Sequence, residues 1–201
     1  MSLGSQQACT NSYQTAIDAA VASGTTVVAA GGNSNVDVAG ASPASCNNVI
    51  AVGAIGEDGK RADFSNYGAG IDLSAPGALI ASTTNAGLLG PGADNYMFMS
   101  GTSQAAPHVA GLAALMKSRF PALTPAQVEA RLKTYVKAFA DGACDPVLIK
   151  NHCGTGIANA EAVTTGLVPG VPSAVTATAH NGSVDVSWTA PDDSGSTIIG
   201  Y

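Results

Sequence analysis

The stretch Met99-Ser100-Gly101-Thr102-Ser103-Gln104-Ala105-Ala106-Pro107-His108-Val109-Ala110-Gly111 constrains this chain more than any other. Small residues lead into apolar positions at helical spacing, which predicts a tight turn opening a helix with Ser103 at its start. Unpaired N–H groups and the positive end of the helix dipole both favour negative charge at that end. A serine held there suits a nucleophile whose reaction develops negative charge on a neighbouring oxygen. The competing reading is local: Ser103 or Thr102 merely caps the helix.

Taken as Gly-Thr-Ser-x-Ala-x-Pro-His-Val-Ala-Gly, the segment resembles the nucleophile segment of the subtilisin-like serine proteases, and Ser103 matches their serine. Further blocks agree in order and spacing: Met1-Ser2-Leu3-Gly4, Val27-Val28-Ala29-Ala30-Gly31-Gly32-Asn33, Ser42-Pro43-Ala44, Val52-Gly53-Ala54, Phe64-Ser65-Asn66-Tyr67-Gly68 and Ala75-Pro76-Gly77. The resemblance covers about residues 1–165 and implies an α/β fold, the three-layer parallel-sheet subtilisin-like architecture, here without its N-terminal part. It also implies that Ser103 Oγ attacks a peptide carbonyl and forms an acyl-enzyme. Asn33 matches the family's oxyanion donor, which acts with the Ser103 N–H; losing that donor costs on the order of 10²–10³ in turnover, a magnitude carried over from the family.

The chain departs from the pattern at one point, where Ala-Ala-Gly-Asn becomes Ala29-Ala30-Gly31-Gly32-Asn33. The extra glycine either rotates the amide away or is absorbed as a bulge. Ser2, Leu3 and Gly4 match one wall of the family's substrate cleft, Ala30, Gly31 and Gly32 match the other, and Thr102 precedes the nucleophile. Substrate would pair with those walls by strand addition. The small residues imply an open primary pocket for a large apolar side chain. Met1-Ser2-Leu3 reads either as the strand of that wall or as a start foreign to it.

In the family, the triad aspartate and histidine come from segments preceding the first strand read here. This chain is therefore expected to lack both, to be inactive alone, and to need its own upstream segment as a partner. The three histidines do not fill the gap. His108 lies five residues past Ser103 and is expected to pack its helix, His152 sits beside Cys153 in a loop, and His180 belongs to a second domain. Asp72 falls in a strand-to-turn segment unlike the family's aspartate motif. An oxyanion hole without its triad retains roughly 10³–10⁴ over the uncatalysed rate in this family. Missing strands would also leave a sheet edge and apolar helix faces bare.

Four cysteines, Cys9, Cys46, Cys144 and Cys153, allow three pairings. Cys9–Cys46 with Cys144–Cys153 is favoured: the first ties the loop before the first helix to Ser-Pro-Ala-Ser-Cys, and the second closes a short loop. Chain entropy assigns them about 4 and about 3 kcal/mol. Zinc is the rival reading, but no Cys-x-x-Cys occurs and only His152 stands near. Disulfides fit a secreted protein. Net charge −6 with eight scattered Lys and Arg argues against nucleic acid. No apolar run approaches the roughly 18 residues of a membrane span. The chemistry needs no cofactor; structural calcium stays open, with no ligands assigned.

Helical spacing over Tyr13–Val21 stops at Gly24, and strands are predicted at 1–3, Thr25–Ala30 and Val49–Ala54. Pro107 is expected in the first turn of its helix, and Thr124, Pro125 and Gln127 cap a helix to about Ala138. The glycine-rich stretch Asn85–Asn95 reads as a connector between strands or as a cleft rim. A Pro/Gly-rich linker at 166–172 separates residues 173–201. There, two alternating strands flank Asn181-Gly182 and resemble the opening of a fibronectin type III module. Two function classes stand: a secreted serine endopeptidase acting on protein or peptide substrates, or a non-catalytic subtilase-like binding protein. A decayed site has no reason to keep both Ser103 and Asn33, which favours the enzyme.

Overall fold

A computed structural model of the chain describes residues 1–87, 90–140, 144, 152–165 and 173–189. Helix α1 (Asn11–Ala22) is capped by the Thr10 side chain, which accepts from the Tyr13 N–H, and the chain leaves it through Gly24 at φ 91°. Strand β1 (Val28–Ala30) is followed by β2 (Ile50–Ile55) and β3 (Leu73–Pro76), which form a parallel sheet in that order. The register pairs Val28 with Ile50 and Val52 with Leu73. β1 is shorter than the sequence predicts, since pairing begins only at Val28.

Alternate side chains sort the sheet into two faces. Val28, Ala30, Ile50, Val52, Ala54, Leu73 and Ala75 form one core with α2 (Thr102–Arg119), α3 (Pro125–Thr134) and α4 (Ala160–Thr165). Ala29 packs with Ile17 of α1, Cys46 and Val49, while Ala51 packs with Val38, Ala41, Ala44 and Ile71. The sheet is thus the middle of three layers. Each fully buried Val or Leu side chain contributes about 1.5–3 kcal/mol relative to exposure.

Several elements differ from expectation. Residues 1–3 form no strand of their own, although the Met1 carbonyl accepts from the Ala30 N–H at 3.0 Å. α3 has the expected Thr124–Gln127 capping box but ends at Thr134. Beyond it, Lys137 pairs with Ile157, which also bridges Ser74 of β3. This sheet-side pairing draws the backbone out of the helix. Pro107 sits at the sixth residue of α2, not in its first turn. α4, which the sequence reading missed, buries Val163.

Strands β4 (Ile80–Asn85) and β5 (Asp94–Met99) make an antiparallel hairpin, so the stretch read as a connector contributes Asn85, Asp94 and Asn95 to the strands themselves, and residues 86–93 join them. A second hairpin joins β6 (Ser173–His180) to β7 (Ser183–Thr189) through Asn181-Gly182, with every residue exposed. The linker at 166–172 and residues 190–201 lie outside the described residues. Cys9 is bonded to Cys46 and Cys144 to Cys153, so the cysteines bind no zinc.

Candidate active site

The start of α2 is fixed from the sheet. The Gly101 N–H donates to the Gly77 carbonyl just past β3 at 2.8 Å, and the Gln104 N–H returns to the Gly101 carbonyl at 3.0 Å. Gly101 is the N-cap, and no side chain caps this helix. Both candidate caps point elsewhere: Thr102 Oγ1 donates to Asn33 Oδ1 at 2.9 Å and Ser103 Oγ donates to the Ser2 carbonyl at 3.2 Å. The capping reading of these hydroxyls therefore falls.

Pro107 has no N–H to offer the carbonyl one turn back, that of Ser103. Ser2 Oγ donates to that carbonyl instead, at 2.8 Å. Ser2 and Ser103 thus hold each other by a reciprocal pair of hydrogen bonds. The proline inside α2 costs the first turn little because a side chain from outside the helix replaces the lost donor.

Asn33 is oriented by Thr102, which is fully buried. The Thr102 N–H and hydroxyl both donate to Asn33 Oδ1, at 2.8 and 2.9 Å. With its oxygen held by two donors, the amide has a defined sense and Nδ2 lies on its other side. Neither Asn33 Nδ2 nor the Ser103 N–H has a partner among the described residues. Both border one small space: a Cβ placed on Gly101 would lie 3.2 Å from Asn33 Nδ2 and 3.6 Å from the Ser103 nitrogen.

The extra glycine is absorbed locally. Gly32 adopts φ +104°, a conformation side chains rarely take, and its N–H donates to Thr102 Oγ1 at 3.0 Å. A cleft of about 310 Å³ opens beside Ser103. It is lined by the predicted Leu3, Gly4, Ala30, Gly31, Gly32, Asn33 and Thr102 together with Ser103. Sequence reasoning missed Ser5, Gln6, Ser34, Ala41 and Ser42, which complete it. Ser5 and Ser42 exchange backbone hydrogen bonds at 2.9 and 3.1 Å, and Gln6 Nε2 donates to Ser34 Oγ. No lining side chain is charged, so the cleft suits a neutral group. Ser2 meets Ser103 from outside this lining.

No histidine touches Ser103 among the described residues. His108 is exposed, not packed, and its Nδ1 sits 2.8 Å from the Gln104 carbonyl of its own helix. His152 is partly buried with its carbonyl accepting from Gly68, and His180 pairs with Asp185 across the β6–β7 hairpin at 3.1 Å. Asp72 is occupied structurally, accepting from the Ala51 N–H at 2.8 Å and from Lys133 at 2.7 Å. Among the described residues no cluster of His, Cys, Asp or Glu suits a metal ion, and no helix is long and apolar enough to cross a membrane.

On this parallel α/β scaffold, the Ser103 N–H and Asn33 Nδ2 are both unpartnered among the described residues beside an uncharged cleft, an arrangement that can stabilise negative charge developing next to the Ser103 hydroxyl. The profile of the subtilase family, peptidase S8, matches residues 1–158. Over 171 residues the chain is 49% identical to an extracellular protease of Xanthomonas campestris pv. campestris, covering 85% of this chain and 28% of that protein. It is 39% identical over 164 residues to subtilisin BL of Lederbergia lenta, covering 82% and 55%. A solved protease structure from Pseudoalteromonas arctica superposes with TM-score 0.77 at 41% identity, covering 83% of this chain and 50% of that one. This chain belongs to the subtilase family. It spans between 28% and 55% of the length of these relatives.

Proposed function

We propose that residues 1–165 are the C-terminal part of the catalytic domain of a secreted serine endopeptidase. Ser103 Oγ attacks the peptide carbonyl, and Asn33 Nδ2 with the Ser103 N–H takes the developing oxyanion. What supports this most is the pair of unpartnered N–H groups bordering the space above Gly101, one held there by Thr102 and the other by the helix start. The substrate backbone lies between Ser2–Gly4 and Ala30–Gly32. Its neutral side chain enters the cleft lined by Leu3, Ala41 and Ser42. The proton of Ser103 goes to a base from outside residues 1–201, because none of the three histidines bonds Ser103: the His108 ring meets the Gln104 carbonyl, the His180 ring pairs with Asp185, and the His152 Nδ1 is buried without a partner among the described residues.

Secretion is supported by the two disulfides and by the names of the relatives, which are extracellular proteases. Residues 173–201 are proposed to open a fibronectin type III module, on the strength of the β6–β7 hairpin and the alternating Ser183–Trp188 pattern. The test is fluorophosphonate labelling of the full natural protein, with the modified peptide located by mass spectrometry. Label on Ser103, lost in Ser103→Ala, is the expected outcome. Absence of label, or label that survives Ser103→Ala, would count against the enzyme and for a non-catalytic binding protein.

A further inference from the structure

Asn33 sits on a loop, residues 31–36, that has no regular secondary structure to stiffen it. Yet an oxyanion donor works only if its position is fixed before the charge develops. The loop also carries one more glycine than the family pattern, and a glycine pair is the least rigid lead-in a backbone can have. Something outside the loop must therefore fix it.

Thr102 holds the Asn33 amide itself, and one further residue holds the loop on both sides of it. Asn66 is 1% exposed. Its Nδ2 donates to the Gly31 carbonyl at 2.8 Å, and its own N–H donates to the Gly32 carbonyl at 2.9 Å. Its Oδ1 accepts from the Ser34 N–H at 3.0 Å and from the Val36 N–H at 3.2 Å. The residues immediately before and after Asn33 are thus both tied to this one residue. The fit with the added glycine is close: a Cβ on Gly32 would lie 2.3 Å from Asn66 Nδ2, so only glycine admits the amide here. Asn66 itself is held by its neighbours. Ser65 Oγ donates to the Asn66 carbonyl and accepts from the Ala54 N–H of β2, each at 3.0 Å.

We infer that Asn66 is a positioning residue for the oxyanion donor, acting through the backbone on either side of Asn33 and accommodating the extra glycine. This rests on the reading of Ser103 and Asn33 as nucleophile and oxyanion donor. It predicts a particular pattern of coupling. If Asn66 acts through Asn33, its loss matters only while the Asn33 amide is present. A residue that merely supports the fold would lower activity whether or not Asn33 is there.

The experiment is a double-mutant cycle in the full natural protein, with Asn33→Ala, Asn66→Ala and the pair. Turnover of a peptide p-nitroanilide is normalised to competent sites by fluorophosphonate titration. Misplacing a catalytic group costs up to about 10²-fold, so Asn66→Ala is expected to lower kcat by about 10-fold to 10²-fold. KM should stay within about twofold, and in the Asn33→Ala background the effect should shrink to about twofold or less. Equal losses in both backgrounds, or a loss confined to KM or to the fraction of competent sites, would overturn the assignment. Should Asn66→Ala fail to accumulate, Asn66→Ser, which keeps one hydroxyl for the loop, carries the same cycle with the same criteria. An unsubstituted protein that neither turns over substrate nor takes the label defeats the reading of the site itself, and the positioning role with it.

Discussion

A side chain at position 101 would stand between the two N–H groups that face the space beside Ser103. The Cβ of an alanine there lies 3.2 Å from Asn33 Nδ2 and 2.9 Å from Gln104 Oε1. The glutamine end is flexible and can move, whereas Asn33 is held by Thr102 and cannot give without losing its bonds. Gly101→Ala is therefore expected to lower kcat by on the order of 10²-fold, comparable to losing a donor, because it fills the space an oxyanion needs. The thermal midpoint should change little, since Gly101 is extended backbone at the helix cap. Kinetics and a melting curve on the same preparation check both halves. Ser103 and Asn33 were legible as a motif because each is named by its immediate neighbours. Asn66 belongs to the Phe64–Gly68 block, but its role is not visible there, because its partner Gly31 is 35 residues away. Likewise the Ser2 hydroxyl meets the Ser103 carbonyl across 101 residues, a pairing no local pattern announces.

An ionic contact ties helix α3 to the sheet. Lys133 Nζ bonds Asp72 Oδ1 at 2.7 Å, with Glu129 one helical turn back at 3.3 Å, while the other Asp72 oxygen accepts from Ala51 of β2. The hydrogen bond to Asp72 first, and the charges of Asp72 and Glu129 with it, raise the Lys133 ammonium above its ordinary 10.5 against the opposing effect of burial. The folded state thus holds this proton more tightly than the unfolded chain. Its contribution to stability is complete below pH 10.5 and is lost as pH rises through the raised folded value. For a partly exposed pair the amount lies within about 0–1 kcal/mol. Urea midpoints of the protein and of Lys133→Met should differ at neutral pH and converge on the alkaline side; a constant gap would contradict this. Element boundaries were legible where chemistry is local, as at the Thr124–Gln127 box and Gly24. They were not where pairing is distant: α3 stops because Lys137 joins Ile157. α4 carries a local signal in Asn159, whose Oδ1 accepts from the Ala162 N–H in an N-capping manner at 3.2 Å.

At the scale of the whole molecule, the parallel sheet brings distant segments to one end. Asn33 follows β1, Asn66 lies in the connection from β2 to β3, Gly77 follows β3, and Ser103 opens the helix that covers all three strands. The site is a property of that convergence, with residues 1–6 closing it from the edge of β1. The β6–β7 hairpin lies apart from this logic; both its faces are exposed, and a two-stranded ribbon is marginal on its own. On the proposed reading Ser103 and Asn33, 70 residues apart in sequence and joined through Thr102, act as nucleophile and oxyanion donor in one reaction. The most direct measurement is steady-state hydrolysis of a peptide p-nitroanilide by the full natural protein and its Asn33→Ala variant. The expected result is a fall in kcat of about 10²–10³ with KM within about twofold, the loss known for this donor in the family. An unchanged kcat, or a loss carried wholly by KM, would show that Asn33 does not serve the transition state.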